Sequence, residues 1–463
     1  MSTKATVITD FEDKQVHVIG LGSYGTGRAV ARALSARGAH VTVSDIKPAA
    51  ALAPEIAALK DTGVTIQTEV DAYRGIEQAD LIVPSPGVPL DIPPLLRARA
   101  RGISVVSDIE VAFWIAPCPI VAVTGTKGKT TTTALIGDLL RDAGKNALVG
   151  GNIGRPLIAL AEKAQPEHIL VAEVSSFQLE ATDRFRPRVA VLLNLFPDHL
   201  DRHPTVDAYR DAKAKVFANQ TAEDTAIINR DDPEAWRLKD LTRARVMPYS
   251  SARVAPEGAD LAEGWLRVSG EPICPAEAIQ LPGPHNLGNV LAALGAASAA
   301  GASLKRATET VSRFQGLEHR LETVAEIRGV TFVNDSQATT PEAAIAALHS
   351  FDRHIVLIAG GRAKVSDFSL LAGAVSRRRA SLIVLGEAAE TIAAAGEAAG
   401  LRDVARASDL GEAVRIAFDR AQAGDLVLLS PACASFDMFQ NMAARGRAFK
   451  QAVQQLVTEK GDS

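Results

Sequence analysis

The chain has 463 residues but only three cysteines, Cys118, Cys274 and Cys433. They lie far apart and form no C-x-x-C pair. That excludes a zinc ribbon and a disulfide framework, and it suits a reducing compartment. No run reaches the ~18 consecutive apolar residues of a spanning helix, so no membrane insertion is expected. Blocks of like charge are absent. The net charge is −4, from 50 Lys and Arg against 54 Asp and Glu, which leaves no basic footprint for nucleic acid. Low-complexity tracts and short repeats are missing too. The first residues, through Gln15, are polar and include Asp10, Glu12 and Asp13, unlike a signal peptide, and a cytoplasmic protein is expected.

What is present is the composition of a soluble globular chain, 47% hydrophobic and 22% charged. The length is too great for one core, so several domains are expected. The most informative stretch is 120–132, IVAVTGTKGKTTT. Ile120 to Val123 read as a short buried strand. A turn rich in Gly and Thr follows, and a helical pattern opens at Thr130. Strand, glycine turn and helix start make an anion cradle, because backbone N–H groups and the positive end of the helix face the same point. Lys129 can reach β- and γ-phosphates, and the Thr130 hydroxyl can ligate Mg²⁺. The usual pattern begins with Gly, and that first Gly is missing here. The flanking strand and helix favour a phosphate site over a plain turn bearing a surface lysine.

Upstream, a strand at 16–21 leads into Gly20, Gly22 and Gly25, then a helical pattern, then a strand at 40–43 ending at Asp45. This βαβ start with an acidic residue about 20 positions on is the dinucleotide fingerprint. Three readings stay open: NAD binding, glycines for close helix–sheet packing, or another nucleotide such as a UDP group. Strands are expected at 64–67, 80–84 and 103–106. Ser85-Pro-Gly87-Val-Pro lies at a strand's carboxyl end and is a ligand loop or a plain turn. The segment 107–118 reads as a connecting helix and linker.

After the phosphate loop, Gly150-Gly151-Asn152 reads as a glycine turn. The strand 169–172 runs into Glu173, placed where a carboxylate would meet a metal at the phosphate loop. The strand 189–193 ends at Asn194 and is followed by Asp198-His199, a metal ligand or a surface turn. Lys213, on a helix over 206–219, is by default a solvated charge. Short strands are expected within 230–281, then helices at 290–300 and 303–314. Asn286 reads first as a helix cap. Strands at 330–333, 355–359, 382–385 and 426–429 alternate with helices, and a closing helix is expected over 437–457. The alternation predicts parallel sheets. The expected fold class is α/β with three domains. They are a Rossmann-like domain at 1–107, a P-loop ATPase-like domain at 108–316, and a second Rossmann-like domain at 317–463.

The ordered set VAVTGTKGKTTT, GGNIG, EVSSFQLE, NLFPDHLDRHP, PGPHNLGNVLAA, GLEHRLE and LLSPACASFDMF resembles the Mur ligases of peptidoglycan synthesis over essentially the whole chain. With NDSQATT and the N-terminal glycine motif, it is most similar to the branch that adds D-glutamate to UDP-N-acetylmuramoyl-L-alanine. Such ligases phosphorylate a substrate carboxylate with ATP, and the incoming amine displaces phosphate.

The resemblance implies that Gly125, Thr126, Lys127, Gly128, Lys129, Thr130 and Thr131 form the ATP cradle. Asn289, Arg320 and Asp335 would add ATP contacts, the last two supplied by the third domain on closure. Thr130 and Glu173 would hold one Mg²⁺, and His199 with a carbamylated Lys213 a second. Asn152 would sit beside the reacting carboxylate. Lys129, Glu173, His199, Lys213 and Asn152 are thus the implied catalytic group. Gly22, Ser23, Asp45, Ser85 and Gly87, with Asn152 and Ser175, would surround the UDP-bearing substrate. That reassigns the dinucleotide fingerprint. Thr339, Lys364, Ser435 and Phe436 would hold the amino acid. A monomer is expected.

Three positions depart from the family pattern: Lys127 for Asn, Gln337 for Lys, and Met442 for Phe. Gln337 removes a positive charge and weakens the assignment of the acceptor. A ligase using another acceptor, such as L-glutamate, remains an alternative. So does a nucleotide-sugar-binding protein with a vestigial phosphate loop. Glu173, His199 and Lys213 count against the latter, because a binder has no need of metal ligands.

Overall fold

The N-terminal strand segments are separated by helical patterns, as expected for a parallel sheet. In a computed structural model they form a five-stranded parallel sheet. Its spatial order is Thr65–Thr68, His40–Asp45, Gln15–Ile19, Leu81–Pro84, Ser104–Val105. The structure describes residues 10–460 apart from 22–24, 200–201, 282, 317, 352, 364–366 and 403. The strand order reverses beside Gln15–Ile19, which opens a crevice at the carboxyl ends of that strand and Leu81–Pro84. Helix Thr26–Ser35 starts after Gly25, whose φ of 73° suits glycine. A Cβ on Gly27 would lie 1.9 Å from the Gly20 carbonyl oxygen. Close helix–sheet packing is therefore one real use of this glycine-rich stretch.

The chain divides into two compact units, residues 1–314 and 315–463. The first holds a second sheet, of nine strands. From one edge, the antiparallel strands Glu271–Pro275, Trp265–Val268 and Ala259–Ala262 lead into a parallel run. That run is Arg245–Ser250, Thr225–Asn229, Val189–Leu192, Ile120–Thr124, His168–Glu173 and Asn146–Gly151. Side chains alternate between the two faces. Val121, Val123, Val171 and Val191 pack with Leu135, Ile136, Leu291 and Leu294 from helices Lys129–Asp142 and His285–Ala299. Ile120, Ala122, Leu170 and Ala190 face the other way. They share one continuous core with Val18, Val30 and Leu34 of the first sheet, which is why both sheets fall in one unit.

Helix Asp108–Ile115 joins the two sheets. Glu110 on it is fully buried and accepts hydrogen bonds from the N–H groups of Asp183, Arg184 and Phe185 at 2.8–2.9 Å, and from Trp114 Nε1 at 2.8 Å. Asp108 is also buried. Gln178 Nε2 donates to its Oδ2 at 3.0 Å, while Oδ1 has no partner. Burial pushes the Asp108 carboxyl up to about 6.

The second unit has six strands in the order Glu322–Ile327, Val330–Asn334, Leu426–Leu429, Ile355–Gly360, Ser381–Leu385, Val404–Arg406. All pairs are parallel except the first, which is an antiparallel hairpin. No described helix is long and apolar enough to cross a membrane.

Some local expectations shift. Asn146–Gly151 is an edge strand, although Gly150-Gly151 reads as a turn. The half-exposed strand Glu322–Ile327 carries no apolar run to announce it. The helix expected over 206–219 is α-helical at Val206–Ala214 and tightens to 3₁₀ at Lys215–Phe217. The closing helix begins at Met442 rather than 437, because the Asn441 side chain caps it by accepting from the Ala444 N–H at 2.8 Å.

Two outcomes follow from the joining helix. Glu110→Ala removes the acceptor of three backbone N–H groups, that of Phe185 buried, and should cost roughly 3 kcal/mol of stability in a denaturant melt. Asp108→Asn should stabilise the protein by roughly 1–3 kcal/mol at pH 8. The folded-state value lies above the ordinary 3.8, so the cost of ionising Asp108 is full above about pH 6 and disappears as pH falls toward 4. The advantage of the amide variant should fade over the same window.

Candidate active site

The strand Ile120–Thr124 hands over to helix Lys129–Asp142 in four residues. Gly125 and Gly128 have φ of 147° and 85°, and a Cβ on Gly128 would lie 2.3 Å from Asn289 Oδ1. Glycine is required there both for the turn and for the approach of helix His285–Ala299, which brings the buried Asn289 against the loop. Asn286 Oδ1 accepts from Asn289 Nδ2 at 2.8 Å, so Asn286 orients that residue.

Sequence reasoning missed what holds the turn. Asn194 Oδ1 accepts from the N–H groups of Thr126 (3.1 Å) and Lys127 (2.8 Å), and its Nδ2 donates to the Lys127 carbonyl at 3.0 Å. The Thr126 hydroxyl is engaged inside the protein as well: it accepts from Tyr209 OH (3.1 Å) and from the Phe196 N–H (3.0 Å). The Lys127 side chain is exposed. Burial, and next the Lys127 charge, lower the His285 imidazole below its usual value. Lys129 Nζ folds back onto the carbonyls of Gly125 and Thr126 at 3.0 and 2.8 Å, and Thr131 sits half-buried on the helix's first turn.

Glu173 ends its strand with 2% exposure. Thr130 Oγ1 donates to one carboxylate oxygen at 2.7 Å, and Asn152 Nδ2 donates to the other at 2.9 Å. Asn152 reaches it because Gly151 (φ 105°) lies where a Cβ would sit 2.3 Å from the Glu173 carbonyl. The three sequence-predicted residues are therefore together. A hydroxyl and a carboxylate side by side at a phosphate loop fit Mg²⁺, which takes few protein oxygens and completes its shell with phosphate and water. Among the described residues no cluster of three His, Cys, Asp or Glu is present, so a richer protein cage is not built.

Lys213 is 2% exposed, and its Nζ donates to the Gly125 carbonyl at 2.9 Å above the Tyr209 ring, 4.7 Å from its centroid. Burial, reinforced by the nearby Lys129 charge, holds its ammonium well below the usual lysine range. The default surface-charge reading is thereby excluded. His199 is half-exposed, has a φ of 52°, and lies 4.9 Å from the Phe177 ring and 6.4 Å from Tyr209. Tyr209 thus faces both residues. An ammonium has no lone pair, so a charged Lys213 cannot itself ligate a cation. Ser175 caps helix Ser176–Glu180 through a capping box with Gln178.

In the first sheet Asp45 accepts from the N–H groups of Leu21 (3.1 Å) and Lys47 (3.0 Å). Ser85 Oγ donates to the Gly20 carbonyl at 2.6 Å, across the crevice where the strand order reverses. Gly87 would meet nothing with a Cβ and lines open space. Gly22 and Ser23 lie outside the described residues.

In the second unit Asp335 is buried, accepting from Ser430 Oγ (2.9 Å) and the Leu321 N–H (3.3 Å), and burial pushes its carboxyl up to about 7. Arg320 is exposed beside it. Ser435 is buried, Phe436 is 63% exposed and Thr339 is half-buried. Lys364 lies outside the described residues.

Three family models match in succession. The Mur ligase MurD-like N-terminal domain covers residues 14–107, the Mur ligase middle domain 123–297, and the Mur ligase glutamate ligase domain 319–433. The chain is 47% identical to the UDP-N-acetylmuramoylalanine–D-glutamate ligase of Pelotomaculum thermopropionicum over 96% of its length and 99% of that protein's. It is 41% identical to the ligase of the same name from Caldanaerobacter subterraneus, over 96% and 99%. Among solved structures, the UDP-N-acetylmuramate-alanine ligase of Thermotoga maritima matches with a TM-score of 0.56 at 19% identity, covering 96% of this chain and 100% of that one. The MurF ligase of the same organism, in complex with ADP, matches at 0.53 and 16%, covering 97% and 98%, a likeness of fold. On this full-length similarity, the chain belongs to the Mur ligase family.

Proposed function

We propose that this chain is an ATP-dependent ligase that joins D-glutamate to UDP-N-acetylmuramoyl-L-alanine in the cytoplasm, as a step of peptidoglycan precursor synthesis. The observation that carries the reading is the 47% identity, over nearly all of both chains, to a D-glutamate ligase. The cradle of Gly125 to Thr130, with Glu173 and Asn152, supports the chemistry.

A free carboxylate is a poor electrophile. In the proposed reaction the substrate's alanine carboxylate attacks the γ-phosphorus of ATP, the bond to the β–γ bridging oxygen breaks, and ADP leaves. The D-glutamate amine then attacks the acyl carbon, inorganic phosphate departs, and the nitrogen loses its proton. Charge collects on phosphoryl oxygens, so cations and positioning dominate. Lys129 swings from the Gly125 and Thr126 carbonyls onto the phosphates. Asn152, held by Glu173, orients the reacting carboxylate. Thr130 and Glu173 would hold Mg²⁺, which would neutralise phosphate charge.

The second metal position is proposed at His199 and Lys213. Burial disfavours the Lys213 ammonium and so favours the neutral amine, whose lone pair can add to CO₂. A C–N bond forms, a proton is released, and the carbamate supplies an oxygen ligand. For the amino acid, Thr339, Lys364, Ser435 and Phe436 are proposed, with the Lys364 ammonium opposite a glutamate carboxylate. Asp45, Ser85, Gly87, Gly22 and Ser23 are proposed to line the UDP group at the crevice of the first sheet.

Phosphate release with UDP-N-acetylmuramoyl-L-alanine, ATP and Mg²⁺ tests this. Release is expected with D-glutamate and not with L-glutamate, D-alanine or diaminopimelate. Silence with every acceptor would remove the ligase reading. Lys213→Ala should abolish turnover, with partial recovery on adding a short carboxylate, and wild-type rates in that variant would remove the second-metal role. Lys129→Ala should lower kcat by about 10²–10³-fold in the same assay.

A further inference from the structure

One arginine bridges the two halves of the first unit, and the roles above do not use it. Arg202 follows His199 in the loop after strand Val189–Leu192. Its side chain is 15% exposed. Nη2 donates to Glu180 Oε2 at 2.7 Å and to the Val88 carbonyl at 3.0 Å, and Nε donates to Glu180 at 3.2 Å. Val88 closes the turn Ser85-Pro86-Gly87-Val88, its N–H donating to the Ser85 carbonyl at 2.9 Å. Ser85 in turn binds the Gly20 carbonyl. A chain of hydrogen bonds thus runs from the crevice of the first sheet to the central domain through a single guanidinium.

On the central side the same arginine fixes the candidate catalytic loop. The N–H groups of Arg202 and His203 both donate to the His199 carbonyl, at 3.0 and 2.9 Å. The Arg202 guanidinium lies 5.5 Å from the Phe177 ring centroid, and that ring is 4.9 Å from His199. His203 is buried between Glu180 (Nδ1, 3.3 Å) and Ser176 (Nε2, 3.0 Å), so Glu180 is anchored from a second direction.

We infer that Arg202 is a positioning residue: it sets the distance and angle between the Ser85–Val88 turn and the His199 loop, and so places a substrate held by its UDP group against the phosphate cradle. Nε and Nη2 hold Glu180 from two points while Nη2 also takes the Val88 carbonyl, so the guanidinium's plane fixes the direction of the contact, whereas a lysine ammonium is a point charge on a flexible stem. A small displacement between a bound substrate and the reacting group is enough to cost a large factor in rate.

The inference rests on the proposed UDP site and is tested apart from it. Calorimetry without metal or ATP would measure UDP and ADP binding to wild type, Arg202→Lys and Arg202→Ala, with melting temperatures alongside. Both variants should bind UDP about tenfold more weakly, the equivalent of one charge-assisted hydrogen bond. ADP binding should stay within about twofold, because the cradle's own clamp, Asn194, is untouched. In steady state kcat should fall by about 10²-fold, more than KM rises. Wild-type UDP affinity in both variants would overturn the inference, as would full recovery with lysine or a parallel loss of ADP binding. If the alanine variant fails to fold, the lysine variant decides. A wild-type protein that binds UDP but releases no phosphate would fail the ligase reading alone. One that does not bind UDP would overturn both.

Discussion

Asn194 holds the turn on which the rest of the centre depends. A strand must become a helix within four residues while its main chain stays open toward an anion. The Asn194 amide satisfies the N–H groups of Thr126 and Lys127 and the Lys127 carbonyl, so the loop is set before any ligand arrives. This turns two amides inward and leaves anion binding to the first turn of helix Lys129–Asp142, whose opening N–H groups lack intrahelical acceptors. It also fixes Thr126, through which Tyr209 and then Lys213 and His199 are placed.

Parallel sheets do the gathering. Every strand of the central run ends at the same edge, and Thr124, Glu173, Gly151 and Leu192 close four of them. Residues far apart in sequence are therefore neighbours there without any long loop. The buried Glu173 carboxylate is stable because Thr130 and Asn152 each give it a donor, and the same two oxygens are what a hard cation would take. Lys213 is the opposite case, since its burial works against its charge. Keeping such a lysine buried costs the fold stability.

The first sheet is joined to this edge by contacts of different character. Glu110 binds the connecting helix to residues 183–185 through three backbone donors, which makes that junction stiff. Arg202 touches the Ser85–Val88 turn through a single carbonyl, near the crevice itself. Several bonds at one point and one oriented contact at another let two sheets share a core while their ligand edges keep a defined spacing.

Much was legible in the chain alone. Apolar runs, glycine turns and caps predicted most strands and helices, because those signals act within a few residues. The phosphate loop, Thr130, Glu173 and Asn152 were readable because each sits at a strand end or a helix start and carries a chemistry-bearing side chain. The strands Asn146–Gly151 and Glu322–Ile327 were not, since edge strands need no apolar signature and draw their order from a neighbour. Asn194 looked like a strand terminus, and Arg202 and Tyr209 like nothing in particular. Their roles consist of partners 67, 114 and 83 residues away, and no local pattern encodes such a pairing. The sequence by itself determined the fold class and the chemical identity of the cradle, since propensity and motif are local. Only the tertiary structure decided that Lys213 is buried and that Thr126 turns inward, because burial and hydrogen-bond partners exist only once distant segments pack.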